Sequence, residues 1–482
     1  MKKDTGMRPK RIAFIQNITE QLFGYMHLSS NLKHHGHNVD VFVENLEKDI
    51  LSSLVLSCPD IIVFSCVTGN MKWGLSIFKK YKEINPNCLT IAGGPHPTYF
   101  PAMVLENGVD VICRGESEEA LLDVCNLYNN TFESIAKINN LSFEIESFVQ
   151  SNPLRPLVVD LDSLPPIDRT IYDKYAYYRK LNTLPVMVSR GCPFNCTFCY
   201  SHISQKLYAG LGQFVRFRSI SKVIEELTEL KMKSPHVEYL VFNDSTFNAN
   251  PKWMMSFLKE YKSAINIPFF CSLRADIVTK SQVDALSDAN CHVVCFGVEG
   301  GSYRLRKELL GRDITDDKLI LVSKMLQQSG ISVSTTNIFA LPTETLDESF
   351  ALIELNKKIK PRIMAASVFQ PYPGTELARI SLEKGLISEL DSNSCKTYYN
   401  LSILKQPDII KQQRLHKLAS YYVYYPFLKP FWDLLFKFSP YNILYYMFLV
   451  SLVVNVKKGY GYSWLRIIRY CIFNFKVFSS GK

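Results

Sequence analysis

Short apolar strands alternate with helical segments over most of the chain, and no other feature constrains its fold as strongly. In the first 130 residues, five buried strands are predicted, at Arg11–Gln16, Val39–Glu44, Asp60–Cys66, Leu89–Gly94 and Val109–Gly115. Helical segments such as Met71–Glu83 and Glu118–Leu127 lie between them. This repeat predicts an α/β fold, with a parallel, doubly wound sheet and helices on both faces.

A second series of strand–helix units begins at Leu184. Its six predicted strands are Pro185–Ser189, Val237–Asn243, Phe269–Arg274, Val293–Glu299, Ser332–Ala340 and Met364–Gln370. Six such units predict a partial, open (β/α)6 barrel. The functional site of such a barrel lies at the C-terminal ends of the strands.

The two series divide the chain into regions. We expect a Rossmann-like domain over 10–130, a linker over 131–180, the partial barrel over 181–385 and a helical C-terminal region over 386–482. The linker prediction rests on the prolines of 152–168, which favour an extended connection. Of the 482 residues, 47% are apolar and 21% charged, which excludes a disordered or low-complexity protein.

Three cysteines directly follow the first barrel strand. The segment RGCPFNCTFCY places Cys192, Cys196 and Cys199 in the spacing C-x3-C-x2-C. Three thiolates on one loop can hold a 4Fe-4S cluster and leave one iron open to a further ligand. A zinc ion with His202 as fourth ligand is the alternative, although paired zinc ligands are normally separated by a longer loop. Clustered cysteines of this kind indicate a metal-binding protein in the reducing cytosol.

With this motif the chain resembles the radical S-adenosylmethionine (SAM) superfamily, specifically its cobalamin-binding branch. The resemblance covers both α/β domains and includes an aromatic residue, Phe198, before the third cysteine. It implies that the open iron binds SAM and that one electron cleaves SAM to a 5′-deoxyadenosyl radical. Because such a cluster is labile to oxygen, the resemblance also implies anaerobic chemistry.

Further motifs at the strand ends match the SAM site of this family. They are NDSTF, SLRAD, GVEGGS and NIFALPTET. The SAM contacts that the resemblance implies are Phe198, Asp244, Arg274, Glu299 and Asn337. Asp244 is expected at the methionyl amine, and Arg274 at the carboxylate through charge-assisted hydrogen bonds. The alternatives are a surface ion pair for Arg274 and a helix cap for Glu299. Ala340 stands where relatives usually carry glycine, and no residue is singled out as catalytic.

The first domain resembles the cobalamin-binding module through GGPHPT and DVICRGESE. Glycines at strand ends allow the backbone to approach a large flat ligand closely. The expected cobalamin-binding residues are Ser65, Thr68, Gly69, Gly93, Gly94, His96, Gly115 and Glu116. The motif Asp-x-His-x-x-Gly is absent, so cobalamin is expected without a protein histidine on the cobalt. A domain that has lost its ligand is the alternative.

Positive charge and aromatic residues are concentrated at the C-terminus. Residues 417–482 hold nine Lys/Arg against one acid, and 20 of the 60 aromatic residues. Ser439–Val456 is uncharged and at the lower limit of length for a membrane span. Ser463–Phe478 has a basic amphipathic pattern that suits an anionic membrane surface. The alternatives are a helix packed over the barrel, and RNA binding, for which the tail is too apolar.

The resemblance implies an enzyme that methylates an unactivated carbon of an apolar substrate, such as a lipid, an isoprenoid or a tetrapyrrole. A reductase, flavodoxin or ferredoxin is the implied electron donor. Oxidative cyclisation or rearrangement without net methyl transfer is the first alternative. An RNA-modifying enzyme and a non-catalytic sensor are the others. We expect a cytoplasmic protein whose tail contacts the cytoplasmic face of the membrane, and no nucleic-acid partner.

Overall fold

The computed structural model describes residues 8–106, 108–388 and 401–460. This part of the chain divides into two compact units. The first comprises the chain up to Lys180 together with Tyr208–Gln213. The second comprises Leu181–Leu207 and the chain from Phe214 onward.

The first unit is built on one seven-stranded sheet. Its strands are β1 (Arg11–Gln16), β2 (Asn38–Val43), β3 (Ile61–Ser65), β4 (Leu89–Gly93), β5 (Val111–Cys113), β6 (Leu141–Ile145) and β7 (Phe148–Ser151). They lie in the order β2-β1-β3-β4-β5-β6-β7. The first five strands pair in parallel, which confirms the doubly wound sheet, and β6 and β7 add an antiparallel edge.

The antiparallel hairpin lies inside 131–180, so part of the predicted linker is sheet. Glu146 and Ser147 form its two-residue turn, with φ of +50° and +68°. Both values are left-handed, as a type I′ turn requires, but the usual Asn-Gly or Asp-Gly signal is absent. The proline-bearing stretch 152–168 contains only one short helical turn, Leu161–Ser163, in agreement with an extended connection.

Helices cover the sheet of the first unit. They are α1 (Phe23–His34), α2 (Ile50–Ser57), α3 (Met71–Ile84), α4 (Pro95–Tyr99), α5 (Glu118–Leu127) and α6 (Ala176–Arg179). In α3 the buried residues Gly74, Ile77, Phe78 and Tyr81 recur at helical spacing and form the face that meets the sheet. A Cβ on Gly74 would lie 2.0 Å from the Phe64 ring, so glycine permits this close packing.

The second unit is an open half-barrel. Its strands are β8 (Thr183–Val186), β9 (Ser189–Arg190), β10 (Arg216–Phe217), β11 (Tyr239–Phe242), β12 (Phe269–Ser272), β13 (Cys291–Glu299), β14 (Ser332–Phe339) and β15 (Ile363–Val368). Six of them form a parallel sheet in the order β8-β11-β12-β13-β14-β15, which confirms the predicted partial barrel. The short β9 and β10 form a separate antiparallel ribbon.

Helices surround this half-barrel. They are α7 (Tyr200–Leu207), α8 (Ile220–Lys233), α9 (Pro251–Ala264), α10 (Lys280–Asp288), α11 (Asp316–Gln328), α12 (Leu346–Ile359), α13 (Glu376–Glu383), α14 (Ile409–Tyr424), α15 (Lys429–Phe438) and α16 (Tyr441–Tyr460). The larger apolar cluster of this unit packs against the sheet and includes side chains from α14, α15 and α16.

The C-terminal helices satisfy the backbone of the edge strand β15. The Met364 amide donates to Tyr424 Oη at 2.6 Å, and Asn455 Nδ2 donates to the Met364 carbonyl at 3.0 Å. His416 Nε2 lies 3.1 Å from the Ala366 carbonyl. An edge strand normally exposes such groups. The helices of the C-terminal region are therefore an integral part of the half-barrel unit, and a helix over the open side of the barrel stays a prediction.

The two tail segments singled out in the sequence differ in outcome. α16 covers nearly all of Ser439–Val456 and buries Leu444 and Phe448 against the unit. Over the described residues, we find no helix with both the length and the hydropathy needed to cross a bilayer. Ser463–Phe478 lies outside the described residues.

Candidate functional site

The three cysteines lie on a loop between β9 and α7, and this loop is tied to two neighbouring elements. Thr197 stands between the second and third cysteines. Its Oγ1 donates to the Leu309 carbonyl at 2.6 Å, and its carbonyl accepts from the Leu377 amide at 3.0 Å. A Cβ on Gly191 (φ +86°) would lie 2.3 Å from the Phe214 carbonyl, so the loop begins in a turn that only glycine fits.

Each cysteine sulfur has a polar neighbour. Arg274 Nη1 donates to Cys196 Sγ at 3.1 Å, and the Ser201 amide donates to Cys199 Sγ at 3.5 Å. Thr246 Oγ1 lies 3.3 Å from Cys192 Sγ. Hydrogen bonds of this kind stabilise thiolates, the form in which cysteine binds iron.

The donor set therefore fits a cluster: three free thiols on one short loop, each with a polar contact. In the described part of the chain, no three His, Cys, Asp or Glu side chains are grouped as ligands of a single metal ion. The zinc alternative with His202 requires four ligands around one ion.

Asp244, just beyond the end of β11, has one free carboxylate oxygen. Its Oδ1 accepts from the Ser189 amide at 2.6 Å and from the Val188 amide at 3.1 Å. Its Oδ2 is buried and has no hydrogen-bond partner among the described residues. Burial raises the pKa of Asp244 to about 6. A buried, unsatisfied acceptor is costly unless a ligand supplies a donor, so this atom suits the predicted contact to an amine.

Arg274, which follows β12, is held rigidly. Asn248 bonds both of its backbone groups, accepting from the amide at 2.9 Å and donating to the carbonyl at 3.2 Å. Its Nε donates to Asp276 Oδ1 at 2.6 Å, and its guanidinium carbon lies 4.3 Å from the centre of the Phe194 ring. The alternative of an ion pair is thus met by Asp276, but with only 8% of Arg274 exposed this pair is largely buried.

Glu299 ends β13 in an unusual backbone conformation. Its φ is +65°, and the pairing of β13 with β14 shifts register between Gly297 and Glu299. Glu299 Oε1 accepts from Thr336 Oγ1 at 2.8 Å and lies 3.4 Å from Arg312 Nη1. A Cβ on Gly297 would lie 2.0 Å from the same Oε1. The carboxylate thus lies over a glycine and is held by Arg312 and Thr336, two residues that sequence reasoning missed.

The Asn337 side chain makes its hydrogen bonds with residues other than Glu299, Arg312 and Thr336. Its Oδ1 accepts from Asn356 Nδ2 of α12 at 2.7 Å, and its Nδ2 donates to the Ala365 carbonyl at 3.0 Å. Both polar ends of this side chain are therefore bonded within the chain, and the contact of Asn337 with SAM stays a prediction. Neighbouring residues on a strand face opposite sides, and Thr336 is the one that reaches Glu299. Ala340, just beyond the end of β14, has a left-handed φ of +59°.

Phe198 is half-buried and packs against an apolar cluster of the second unit. The buried members of that cluster include Leu309, Leu310, Phe369 and Leu377. The side chain therefore anchors the cysteine loop, and its contact with SAM stays a prediction.

Six of the predicted cobalamin-binding residues are gathered at the ends of β3 and β4: Ser65, Thr68, Gly69, Gly93, Gly94 and His96. Thr68 Oγ1 lies 3.1 Å from His96 Nδ1. Burial lowers the pKa of His96 to about 4, so its imidazole is neutral at pH 7. Gly94 has φ +92°, and a Cβ there would meet the Cys66 amide and carbonyl at 3.0 Å. Hydroxyls, a neutral imidazole and closely packed backbone at this edge fit a large ligand with amide groups.

Gly115 and Glu116 follow β5 and contact Tyr208 within the same unit. The Glu116 amide donates to Tyr208 Oη at 2.8 Å, and Glu116 Oε2 accepts from the Val158 amide at 3.1 Å. A Cβ on Gly115 (φ +71°) would lie 1.8 Å from Tyr208 Oη. These residues organise the end of β5, and their contact with cobalamin stays a prediction.

The fold and the site define an iron–sulfur enzyme built on a parallel half-barrel. Residues 186–355 match the family model of the radical SAM superfamily, and residues 22–124 match that of the B12 binding domain. An uncharacterised methyltransferase of Pyrococcus horikoshii is 30% identical over 362 residues, which cover 72% of this chain and 75% of that protein. The chain therefore belongs to the cobalamin-binding branch of the radical SAM superfamily.

Two further proteins extend the comparison. The anaerobic magnesium-protoporphyrin IX monomethyl ester cyclase of Rubrivivax gelatinosus is 23% identical over 367 residues, covering 73% of this chain and 64% of that protein. A solved structure of the cobalamin-dependent SAM radical enzyme OxsB, with aqua-cobalamin and SAM bound, aligns with a TM-score of 0.68 and 17% identity. That alignment covers 98% of this chain and 75% of the other, and at this identity it shows the fold alone.

Proposed function

We propose that this enzyme uses a 4Fe-4S cluster, SAM and cobalamin to methylate an unactivated carbon of an apolar substrate. The observation that carries the proposal is the loop of three free cysteines beyond the first strands of the half-barrel, with a polar contact to each sulfur. When bound, the cluster supplies the electron that cleaves SAM, and cobalamin supplies the methyl group. The relationship to a methyltransferase of Pyrococcus horikoshii favours methyl transfer as the outcome.

The side chains at the ends of β11, β12 and β13 orient SAM in this proposal. Asp244 Oδ2 accepts from the methionyl ammonium, which provides the donor that this buried oxygen lacks within the chain. The positive charge of the ammonium also favours the ionised carboxylate and offsets the raised pKa of Asp244. Glu299, fixed by Thr336 and Arg312, offers a second acceptor for SAM.

Cobalamin is held by the glycine-bearing edge of the first unit, at Ser65, Thr68, Gly69, Gly93, Gly94, His96, Gly115 and Glu116. His96 contributes a neutral imidazole whose Nδ1 faces Thr68. We assign it to the periphery of the ligand and leave the cobalt without a protein histidine.

The reaction needs partners beyond the chain. A reductase, flavodoxin or ferredoxin delivers the electron, since none of the protein's own groups is a reductant of sufficient strength. An apolar substrate is a lipid, an isoprenoid or a tetrapyrrole, and contact with the cytoplasmic face of the membrane would bring the enzyme to it.

A second reaction is favoured by one observation, the relationship to the cyclase of Rubrivivax gelatinosus. Oxidative cyclisation or rearrangement of the substrate radical, without net methyl transfer, would need the same cysteine loop and the same SAM contacts. The two reactions differ in their products.

The experiment is anaerobic reconstitution of the full chain with iron, sulfide and cobalamin, followed by SAM carrying a deuterated methyl group and dithionite. A lipid extract rich in isoprenoids and a free porphyrin serve as probes. We expect 5′-deoxyadenosine and a product with the deuterated methyl group. Formation of 5′-deoxyadenosine with a product of unchanged carbon count would favour the cyclase alternative.

The control variant is Cys196→Ala, which should lose the cluster and 5′-deoxyadenosine together. Cys125→Ala, at a buried cysteine of α5, should retain both, because alanine suits a helix interior. Full iron content and SAM cleavage in Cys196→Ala would refute the assignment.

A further inference from the structure

Exposed apolar side chains are concentrated in a short part of the C-terminal region. Residues 425–450 carry nine of the 24 large hydrophobic residues that are exposed in the described chain. Three of the four exposed phenylalanines lie there, and Phe427 and Phe438 are each 76% exposed. Surface patches of this kind on a protein normally mark a contact with a partner or a membrane.

Four of these side chains form what we call the aromatic ridge: Phe427, Phe431, Leu434 and Phe438. Phe431, Leu434 and Phe438 recur at steps of three and four residues and share one face of α15. Phe427 lies in the short 3-10 turn Pro426–Leu428 directly before this helix. An unpaired apolar stripe on a helix has no stabilising role in water. The ridge therefore presents a surface that is suited to an apolar surrounding.

The helix that carries the ridge is firmly attached to the half-barrel. Trp432 is buried, and its Nε1 donates to the Tyr425 carbonyl at 2.9 Å. Arg414 of α14 donates to the carbonyls of Phe436 and Leu435 at 2.7 and 3.2 Å. The buried face of α15 thus fixes the outward direction of the ridge, which is not the result of a frayed helix.

Most of the charged residues near the aromatic ridge are basic. Lys429 and Lys437 are exposed on α15, and Asp433 is the only acidic residue from Lys417 to the end of the chain. Asp433 is already paired, accepting from Lys429 at 2.7 Å and from Tyr422 Oη at 2.9 Å. No acidic side chain in this stretch is therefore left to repel a negatively charged partner.

We propose that the aromatic ridge docks on the surface of an anionic lipid bilayer. Phenylalanine and leucine would enter the boundary between headgroups and acyl chains, and Lys437 would meet lipid phosphates. The ridge differs from the two tail segments singled out in the sequence. It specifies the surface behind the membrane contact of the proposed function, and it does not depend on which reaction the enzyme catalyses.

The test is flotation of the full chain with vesicles of equimolar phosphatidylglycerol and phosphatidylcholine, against vesicles of phosphatidylcholine alone. We expect binding to the anionic vesicles that weakens as salt is added. Phe427→Ser/Phe438→Ser should reduce the partition coefficient by about tenfold or more. The matched control is Phe148→Ser, since Phe148 on β7 is also 76% exposed and should leave binding unchanged.

Three outcomes would overturn the proposal. Wild-type protein that stays with the soluble fraction would exclude a bilayer as the partner. Equal flotation of the double variant would place the contact elsewhere in the chain. A change of the double variant from dimer to monomer in light scattering, without any effect on flotation, would assign the ridge to a second copy of the chain. Iron content and circular dichroism of each variant verify that it is folded.

Discussion

Arg274 Nη1 lies 3.1 Å from Cys196 Sγ, so the side chain expected at the carboxylate of SAM is in direct contact with a cysteine of the cluster loop. Neighbouring residues hold both the backbone and the side chain of Arg274 in place for this contact. Asn248 fixes the backbone of Arg274, and Asp276 together with the Phe194 ring fixes its guanidinium. A positive charge is thus held beside a sulfur that we propose as a ligand of the cluster.

We predict that Arg274 raises the reduction potential of the cluster. Reduction adds negative charge, and a neighbouring cation stabilises the reduced form more than the oxidised form. Arg274→Gln should therefore lower the potential, on the order of 50 mV, or about tenfold in a one-electron equilibrium. The measurement is a redox titration of the reconstituted cluster, followed by electron paramagnetic resonance.

Arg274→Lys is the matched variant, because it keeps the charge and loses the planar group that stacks on Phe194. It should retain most of the potential. An unchanged potential in Arg274→Gln, together with weaker SAM binding, would mean that Arg274 serves SAM alone.

A second prediction concerns Gly297, over which the Glu299 carboxylate lies. Gly297→Ala would place a Cβ 2.0 Å from Glu299 Oε1 and 2.6 Å from Arg312 Nη1, so the ion pair must move. We expect SAM affinity to fall by about tenfold to a hundredfold, as for a lost charged hydrogen bond. Calorimetric titration of SAM into the reconstituted enzyme measures this. Gly24→Ala, where a Cβ meets nothing within 4 Å, is the control, and an equal loss there would contradict the argument.

The sequence predicted what depends on local pattern. The parallel strands were recognisable because strand and helix periods alternate, and Cys192, Cys196 and Cys199 because ligands on one loop have a defined spacing. Contacts between side chains of different strands and helices follow no such local pattern in the sequence. The Arg312–Glu299 contact depends on the shift of register between β13 and β14. The side of the sheet that Asn337 faces could not be predicted either, because polar and apolar residues do not alternate in the segment STTNIF.

A third prediction concerns Gly94, which lies after β4 among the proposed cobalamin-binding residues. It separates the steric effect of an added Cβ from the strain of a left-handed backbone. Gly94 and Gly36 have almost the same φ, +92° and +89°, so alanine is strained by about 1–2 kcal/mol at either position. Only at Gly94 would the Cβ also press on Cys66, at 3.0 Å. Gly94→Ala should therefore lose cobalamin during gel filtration, as measured by its visible absorbance, whereas Gly36→Ala should retain it. Equal retention by both variants would remove Gly94 from the binding edge.

The last prediction concerns pH and His416 of α14, which is fully buried and lies against the Ala366 carbonyl of β15. Burial, and then the charge of Lys417, lower the pKa of His416 well below 6.5. The unfolded chain takes up this proton as the pH falls through about 6.5, and the folded chain does not. The free energy of unfolding therefore decreases as the pH falls below about 6.5, by up to about 1.4 kcal/mol per pH unit. His416→Gln, which keeps a donor for the Ala366 carbonyl, should remove this part of the slope in denaturant titrations.

Lys417 provides the matched comparison because it acts in a different pH window. Burial lowers the pKa of Lys417 from 10.5 to about 7. At this residue the unfolded chain therefore binds more protons than the folded chain only between pH 7 and pH 10.5. Lys417→Met should reduce the slope of unfolding free energy above pH 7. Just below pH 6.5 the slope should stay close to that of the wild type, because burial, the larger cause, still holds the pKa of His416 down. A variant His416→Gln whose slope below pH 6.5 equals that of the wild type would show that this histidine is protonated in the folded state. In that case its bond to the β15 edge would not depend on a neutral ring.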